Sequence, residues 1–249
     1  MDYYKDFEDE YSYTSAGALH FKHHRGTKQK IIFLHGLGGT TLVWERLMEV
    51  MPDDLDVYLI DLLGHGESDA PDVDYTISLQ FQGLREFISL QNNGDSFIFG
   101  HSYGGWVAAY YATQPYTCKG IMLEDAAGLK ENFDEIMASG RIDEYRGRMM
   151  GEVMGLNGNK EHVMRSILYS NFEEDRLTTE MLANVRVPTL ILWGTHDMTI
   201  DPKYAAVFHG KIRGSRLEMV DGAGHEPHYE RPEIVKNAIL SFIGYGESP

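Results

Sequence analysis

The chain reads as an α/β protein built on a doubly wound parallel sheet, and three observations predict it. Short apolar runs rich in branched and aromatic residues recur from Lys30 to Val220, the pattern of strands covered on both faces. Between them lie stretches with helical spacing, the longest at Ile77–Leu90, which supply an apolar stripe for packing on a sheet. Several apolar runs end abruptly in glycine-bearing turns, the sharpest being Gly100-His101-Ser102-Tyr103-Gly104. Strands and helices that alternate in this way cross over into one parallel sheet.

Taken in order, Tyr11–Ser15 and Ala18–His24 alternate polar and apolar residues around Ala16-Gly17, which predicts a hairpin at a sheet edge. Strands follow at Lys30–Leu34, Leu55–Ile60, Ser96–Phe99, Gly120–Leu123, Val187–Trp193 and Arg216–Val220. Helical patterns occupy Leu42–Val50, Ile77–Leu90, Trp106–Thr113, Lys203–His209 and Glu233–Phe242. The segment 128–183 breaks the alternation and reads as several short helices, with breaks at Ser139-Gly140 and Asn157-Gly158-Asn159. Six of the twelve methionines fall there: Met137, Met149, Met150, Met154, Met164 and Met181. Methionine is unbranched and polarizable, so it suits packing between helices and also the lining of an adaptable apolar pocket.

The chemistry concentrates at strand ends. A strand, a G-x-S-x-G turn and a small-residue helix form a nucleophile elbow, in which Ser102 points outward from a tight bend. Side chains at Gly100 and Gly104 would run into the neighbouring strand and helix. A serine hydroxyl needs a base to take its proton and a third group to orient that base. Asp197, in Gly194-Thr195-His196-Asp197, and His225, in Asp221-Gly222-Ala223-Gly224-His225, follow two later strands and supply both. Asp125, just past another strand end, and His228, three residues beyond His225, are the rival acid and base. Two backbone N–H groups should face a developing oxyanion. One is expected from Tyr103, directly after the serine, and the other from Leu37, in the glycine-flanked loop His35-Gly36-Leu37-Gly38-Gly39.

These motifs, together with Asp61-Leu62-Leu63-Gly64-His65-Gly66-Glu67-Ser68 and Glu230-Arg231-Pro232, run from about residue 30 to the C-terminus. The chain resembles the α/β-hydrolase superfamily, in its compact, cap-containing, esterase-like branch. The resemblance implies a mostly parallel eight-stranded sheet, with a helical cap inserted after the sixth strand. Residues 1–127 and 184–249 would then form the core and 128–183 the cap, with Met149 and Met154 as substrate-binding candidates. It also implies Ser102, Asp197 and His225 as a catalytic triad that hydrolyses carboxylic esters of small to medium acyl groups through an acyl-enzyme. A serine at the elbow disfavours haloalkane dehalogenases and epoxide hydrolases, which carry aspartate there. Carbon–carbon bond hydrolases, lactonases, proline iminopeptidases and ligand-sensing relatives remain open, since one fold hosts many reactions.

Composition narrows the partners. With 22 basic and 38 acidic residues the net charge is −16, which argues against nucleic acid or an anionic membrane as partner and leaves a small-molecule ester substrate. Residues 1–10 lack the basic and apolar stretches of a secretory signal. No apolar run approaches the ~18 residues of a membrane span, so cytoplasmic residence is expected. The single cysteine, Cys118, excludes an internal disulfide and is expected in a packed strand position. His225-Glu226-Pro227-His228 is one residue too short for H-E-x-x-H and carries a proline. Among His20, His23 and His24, alternation turns His23 away from the other two. No metal or organic cofactor is therefore expected. His35, His101, His65 and Ser68 are expected to shape loops. Gly36-x-Gly38-x-x-Thr41 approaches a dinucleotide fingerprint, with Asp61 as its ribose acid. Thr41 stands where a third glycine belongs, and the three strand ends go unexplained by a nucleotide.

Overall fold

The computed structural model describes residues 4, 6–155, 160–169 and 175–246. Eight strands form one sheet in the order β1-β2-β4-β3-β5-β6-β7-β8. They are β1 (Glu8–Thr14), β2 (Gly17–His24), β3 (Lys30–Leu34), β4 (Asp56–Ile60), β5 (Phe97–His101), β6 (Gly120–Glu124), β7 (Thr189–Gly194) and β8 (Arg216–Val220). From β4 to β8 all neighbours are parallel. The hairpin β1-β2 joins β4 in antiparallel register and leaves β1 at the edge. Thr14 pairs with Gly17, so the turn residues are Ser15-Ala16, one position earlier than the sequence suggests. The extra strand residues Glu8–Glu10 are acidic and largely exposed. Such positions carry no hydrophobic alternation for sequence reading to follow.

Helices cover both faces, and strand alternation divides the core between them. Ile31 and Phe33 join one apolar cluster, with Trp44, Leu47, Val235 and Ile239. Ile32 and Leu34 join the other, with Phe87, Val107 and Phe208. The first cluster packs on α1 (Glu45–Met48) and α10 (Pro232–Phe242); the second packs on α2 (Ile77–Leu90), α3 (Tyr103–Thr113) and α8 (Lys203–Lys211). The single helix expected over Leu42–Val50 is instead a 3-10 turn, Thr41–Trp44, running into α1. The Thr40 side chain caps that turn, accepting from the Leu42 N–H. Strand β7 starts at Thr189, because Pro188 has no N–H to give the ladder; its carbonyl accepts from Ile121.

Among the described residues, four helices lie between β6 and β7: α4 (Lys130–Ala138), α5 (Ile142–Val153), α6 (Glu161–Tyr169) and α7 (Thr179–Leu182). Gly140, at φ +68°, makes the expected break between α4 and α5. The other expected break, at 157–159, lies outside the described residues. This helical segment rests on loops at the carboxyl ends of the strands. A Cβ at Gly38 would stand 2.6 Å from Val153 of α5. Lys160 donates to the Gly66 carbonyl at 2.6 Å, and Ser166 accepts from the Tyr75 N–H at 2.8 Å. On the far side, Lys203 and Tyr204 of α8 hold Glu135 of α4. Cys118 is packed, as expected, but sits in the loop ahead of β6 rather than in a strand. Burial pushes its thiol up to about 11, which leaves it unreactive.

Candidate active site

Strand β5 runs two residues further than its apolar pattern, through Gly100 and His101, and then reverses at Ser102 into α3. Ser102 takes φ 51° and ψ −110°, a conformation that costs about 1–3 kcal/mol and persists only when its surroundings impose it. They do so by close approach. A Cβ on Gly100 would lie 2.3 Å from the Gly104 carbonyl oxygen, and one on Gly104 would lie 2.2 Å from that of Leu34. Both glycines therefore act as the sequence predicts. The Ser102 N–H is held by the Glu124 carbonyl at 2.9 Å.

The structure brings together all three residues singled out at the strand ends. His225 Nε2 lies 3.0 Å from Ser102 Oγ, and His225 Nδ1 lies 2.8 Å from Asp197 Oδ2. Asp197 Oδ1 accepts from the N–H groups of Thr199 and Ile200 at 2.7 and 3.0 Å. Burial works to raise the Asp197 carboxyl, but the His225 hydrogen bond and charge, with those N–H donors, hold it below its ordinary value. Asp197 is therefore a carboxylate that receives Nδ1–H and leaves Nε2 with a lone pair toward Ser102.

The two rivals make other hydrogen bonds, although Asp125 stays within 4.8 Å of both Asp197 and His225. Asp125 is fully buried and accepts from the Gly194 N–H at 3.0 Å. Burial, then Glu124 and Asp197, push its carboxyl well above the usual range. His228 turns away from Ser102 and places Nδ1 2.5 Å from Glu124 Oε2. Pro227 opens a short helix, α9 (Pro227–Glu230), so His225 precedes that helix while His228 lies within it.

Leu37 lies in the loop after β3, and Tyr103 directly follows Ser102. Tyr103 opens α3, where an N–H has no intrahelical acceptor. Neither its N–H nor that of Leu37 is engaged by a backbone acceptor among the described residues. The Leu37 loop is braced by two imidazoles. Buried His35 accepts from the Leu62 N–H and donates to the Gly36 carbonyl, and burial holds it below its ordinary value. The His101 ring lies against Gly36, where an added Cβ would be 2.8 Å from its Nδ1.

Asp61 is part of the same bracing. Its carboxylate receives the Thr41 N–H at 2.6 Å, the Glu67 N–H at 2.9 Å and His20 Nδ1 at 2.8 Å. Both of its oxygens are thus engaged within the fold, and Val153 fills the space above Gly38. Ser68 ties the Asp61 carbonyl to the His20 N–H, and His65 lies against the Leu63 carbonyl.

Two groups of side chains bring three ligand-type atoms within 4.8 Å: His101, Glu124, His228 and Asp125, Asp197, His225. In each group, hydrogen bonds within the site already occupy key atoms: His228 Nδ1 and His101 Nε2 in the first, both His225 nitrogens in the second. The amino-terminal histidines do not converge. His20 pairs with Asp61, His23 with Asp56, and His24 with the Leu55 carbonyl.

Met149 and Met154 are half-buried against the apolar cluster that also receives Leu37. A cavity of about 930 Å³ opens beside the Asp197 turn, bordered by Glu135, Tyr145, Arg148, His196 and Lys203. Ser102, His225, Met149 and Met154 do not border it. Among the described residues, no helix is long and apolar enough to cross a membrane.

Comparison with known proteins agrees with this architecture. An uncharacterized Mycobacterium tuberculosis protein is 26% identical over 261 residues, spanning 88% of this chain and 76% of its own. Human monoacylglycerol lipase ABHD6 is 25% identical over 262 residues, spanning 90% of this chain and 77% of its own. A solved structure of a putative lipase from Acinetobacter baumannii superposes with a TM-score of 0.79 at 20% identity, covering 98% of this chain and 94% of that one. The family model for the alpha/beta hydrolase family matches residues 31–238, which include every strand from β4 to β8 and the whole Ser102, Asp197 and His225 cluster; the chain belongs to that family.

Proposed function

We propose that the protein is a serine hydrolase that cleaves carboxylic esters of small to medium acyl groups. The observation that carries this reading is the continuous chain Ser102 Oγ, His225 Nε2, His225 Nδ1, Asp197 Oδ2, with separations of 3.0 and 2.8 Å. His225 takes the Ser102 proton as Oγ attacks the ester carbonyl, and the Leu37 and Tyr103 N–H groups receive the oxyanion. The imidazolium then gives that proton to the leaving alcohol, and a water activated by His225 releases the acid. Asp197 keeps its charge throughout and stabilises the imidazolium. The chain supplies nucleophile, base and oxyanion donors itself, so no step calls on a metal or cofactor.

The 128–183 segment acts as a cap in this reading. Its contacts with the Gly38 loop, the Gly66 loop and α8 ring the strand ends that carry the triad. In this reading Met149 and Met154, which pack on the same apolar cluster as Leu37, line the acyl pocket. The test is turnover of p-nitrophenyl esters of graded length. Ser102→Ala should lower kcat by about 10⁴–10⁶, His225→Ala by as much, and the double variant should be scarcely worse than either. A Ser102→Ala enzyme that keeps the parental rate overturns the reading.

A further inference from the structure

Three buried polar side chains next to the site take no part in the proposed chemistry. Glu124, at the end of β6, is fully buried, and its Oε1 has no hydrogen-bond partner among the described residues. Its Oε2 meets His228 Nδ1 at 2.5 Å. His228 is wedged between Trp44 and His101, with ring centroids 4.6 and 4.8 Å away. His101 in turn places Nε2 2.7 Å from the main-chain oxygen of His225. Burial first, then the neighbouring His228 and His225, hold the His101 imidazole well below its ordinary value. A neutral imidazole has one N–H, and a carbonyl can only accept, so that proton sits on Nε2.

A buried carboxyl group with an unpartnered oxygen is costly to keep, and apolar residues of similar volume would pack β6 at least as well. What the three side chains share is the loop they hold. Asp197 grips the His225 ring, His101 grips its carbonyl, and Glu124 grips the residue three positions further on. Glu124 also holds the nucleophile, because its carbonyl accepts the Ser102 N–H. In the β5-β6 register His101 and Glu124 stand directly opposite each other. One strand pair thus sets the nucleophile and, through two side chains, the main chain of the base.

We propose that His101, Glu124 and His228 are positioning residues for His225, a clamp that fixes its main chain so that Nε2 faces Ser102 before substrate arrives. This rests on the serine-hydrolase reading above. The clamp touches no substrate, so its loss should appear in kcat rather than KM.

The experiment compares His101→Leu, which has similar bulk and no donor, with His101→Gln, which can keep an N–H at the Nε2 position. Both are assayed in the full chain for ester turnover and for the rate of Ser102 labelling by a phosphonate, with Tm measured alongside. A misplacement of about 1 Å costs on the order of 10²-fold, so His101→Leu should lose about that in kcat while KM stays within roughly threefold. Labelling should slow in proportion, and His101→Gln should recover at least about tenfold of the loss. Should His101→Leu fail to fold, Glu124→Gln takes its place; it keeps the shape and replaces one carboxyl oxygen with an amide nitrogen, and is expected to lose about tenfold in kcat at unchanged Tm. Wild-type kcat in the variant tested, equal losses in His101→Leu and His101→Gln, or a change confined to KM overturns the clamp. Absence of any Ser102 label in the wild-type chain instead overturns the serine-hydrolase reading itself.

Discussion

At the residue scale, the two carboxylates at the site have opposite tasks because their surroundings differ. Asp197 collects two N–H donors and an imidazole, whereas Asp125 has one N–H donor and faces Glu124 and Asp197. Asp197→Asn should therefore lower kcat by about 10²–10⁴, since an amide can hold the wrong tautomer of His225. Asp125→Asn keeps the shape and removes a charge that burial, Glu124 and Asp197 all disfavour, and should stay within about tenfold of the parent. Stability should move in opposite directions as well. Below the ordinary Asp value of 3.8 both the folded and unfolded states carry the Asp125 proton. As pH rises above that value only the unfolded state ionises freely, so the folded state loses ground up to its own raised pKa. Asp125→Asn should then raise Tm at pH 7 and give a smaller gain near pH 4. Asp197 has the reverse sign: its depressed pKa stabilises the fold above 3.8 and that contribution is lost as pH falls through the folded value. Asp197→Asn should lower Tm at neutral pH, by less in acid. Thermal melts at both pH values check the pair, and an Asp125→Asn shift that is equal at the two pH values contradicts the assignment.

At the scale of elements, the site is assembled from strand ends, and the helical segment between β6 and β7 packs on loops beside them. Helix α5 meets the Gly38 loop through Val153. If α5 shapes the acyl pocket, substitution of Met149 or Met154 should shift the preferred chain length without abolishing turnover. Each buried methylene can add roughly 0.8 kcal/mol until the pocket is full, so kcat/KM should climb and then fall. An unchanged profile in both variants would assign selectivity to Leu37 and the other loop residues of the core. The elements that bear the triad were legible in the sequence because glycine has few reasons to stand at Gly100 and Gly104 other than close backbone approach. Helix α9 was not: four residues opened by Pro227 carry too little periodicity to separate from a loop. The split of Leu42–Val50 into two short turns was hidden for the same reason, since i, i+3 and i, i+4 spacings fit both. Glu124 escaped notice because a single acidic residue at a strand end looks solvent-facing. Its partner, His228, lies 104 positions away in sequence.

At the scale of the whole molecule, a parallel sheet brings residues from distant parts of the chain to one edge. Ser102 and His225 are 123 positions apart, yet they meet because β5 and β8 end on the same side of the sheet. What decides the account is whether Ser102 is the nucleophile. The most direct measurement is mass spectrometry of the intact and digested protein after treatment with a serine-directed phosphonate in the presence of a strong chelator. The account predicts one adduct per chain, located on Ser102 and absent from Ser102→Ala and His225→Ala. An adduct on another residue, or labelling that disappears with chelator and returns with a divalent ion, would contradict it.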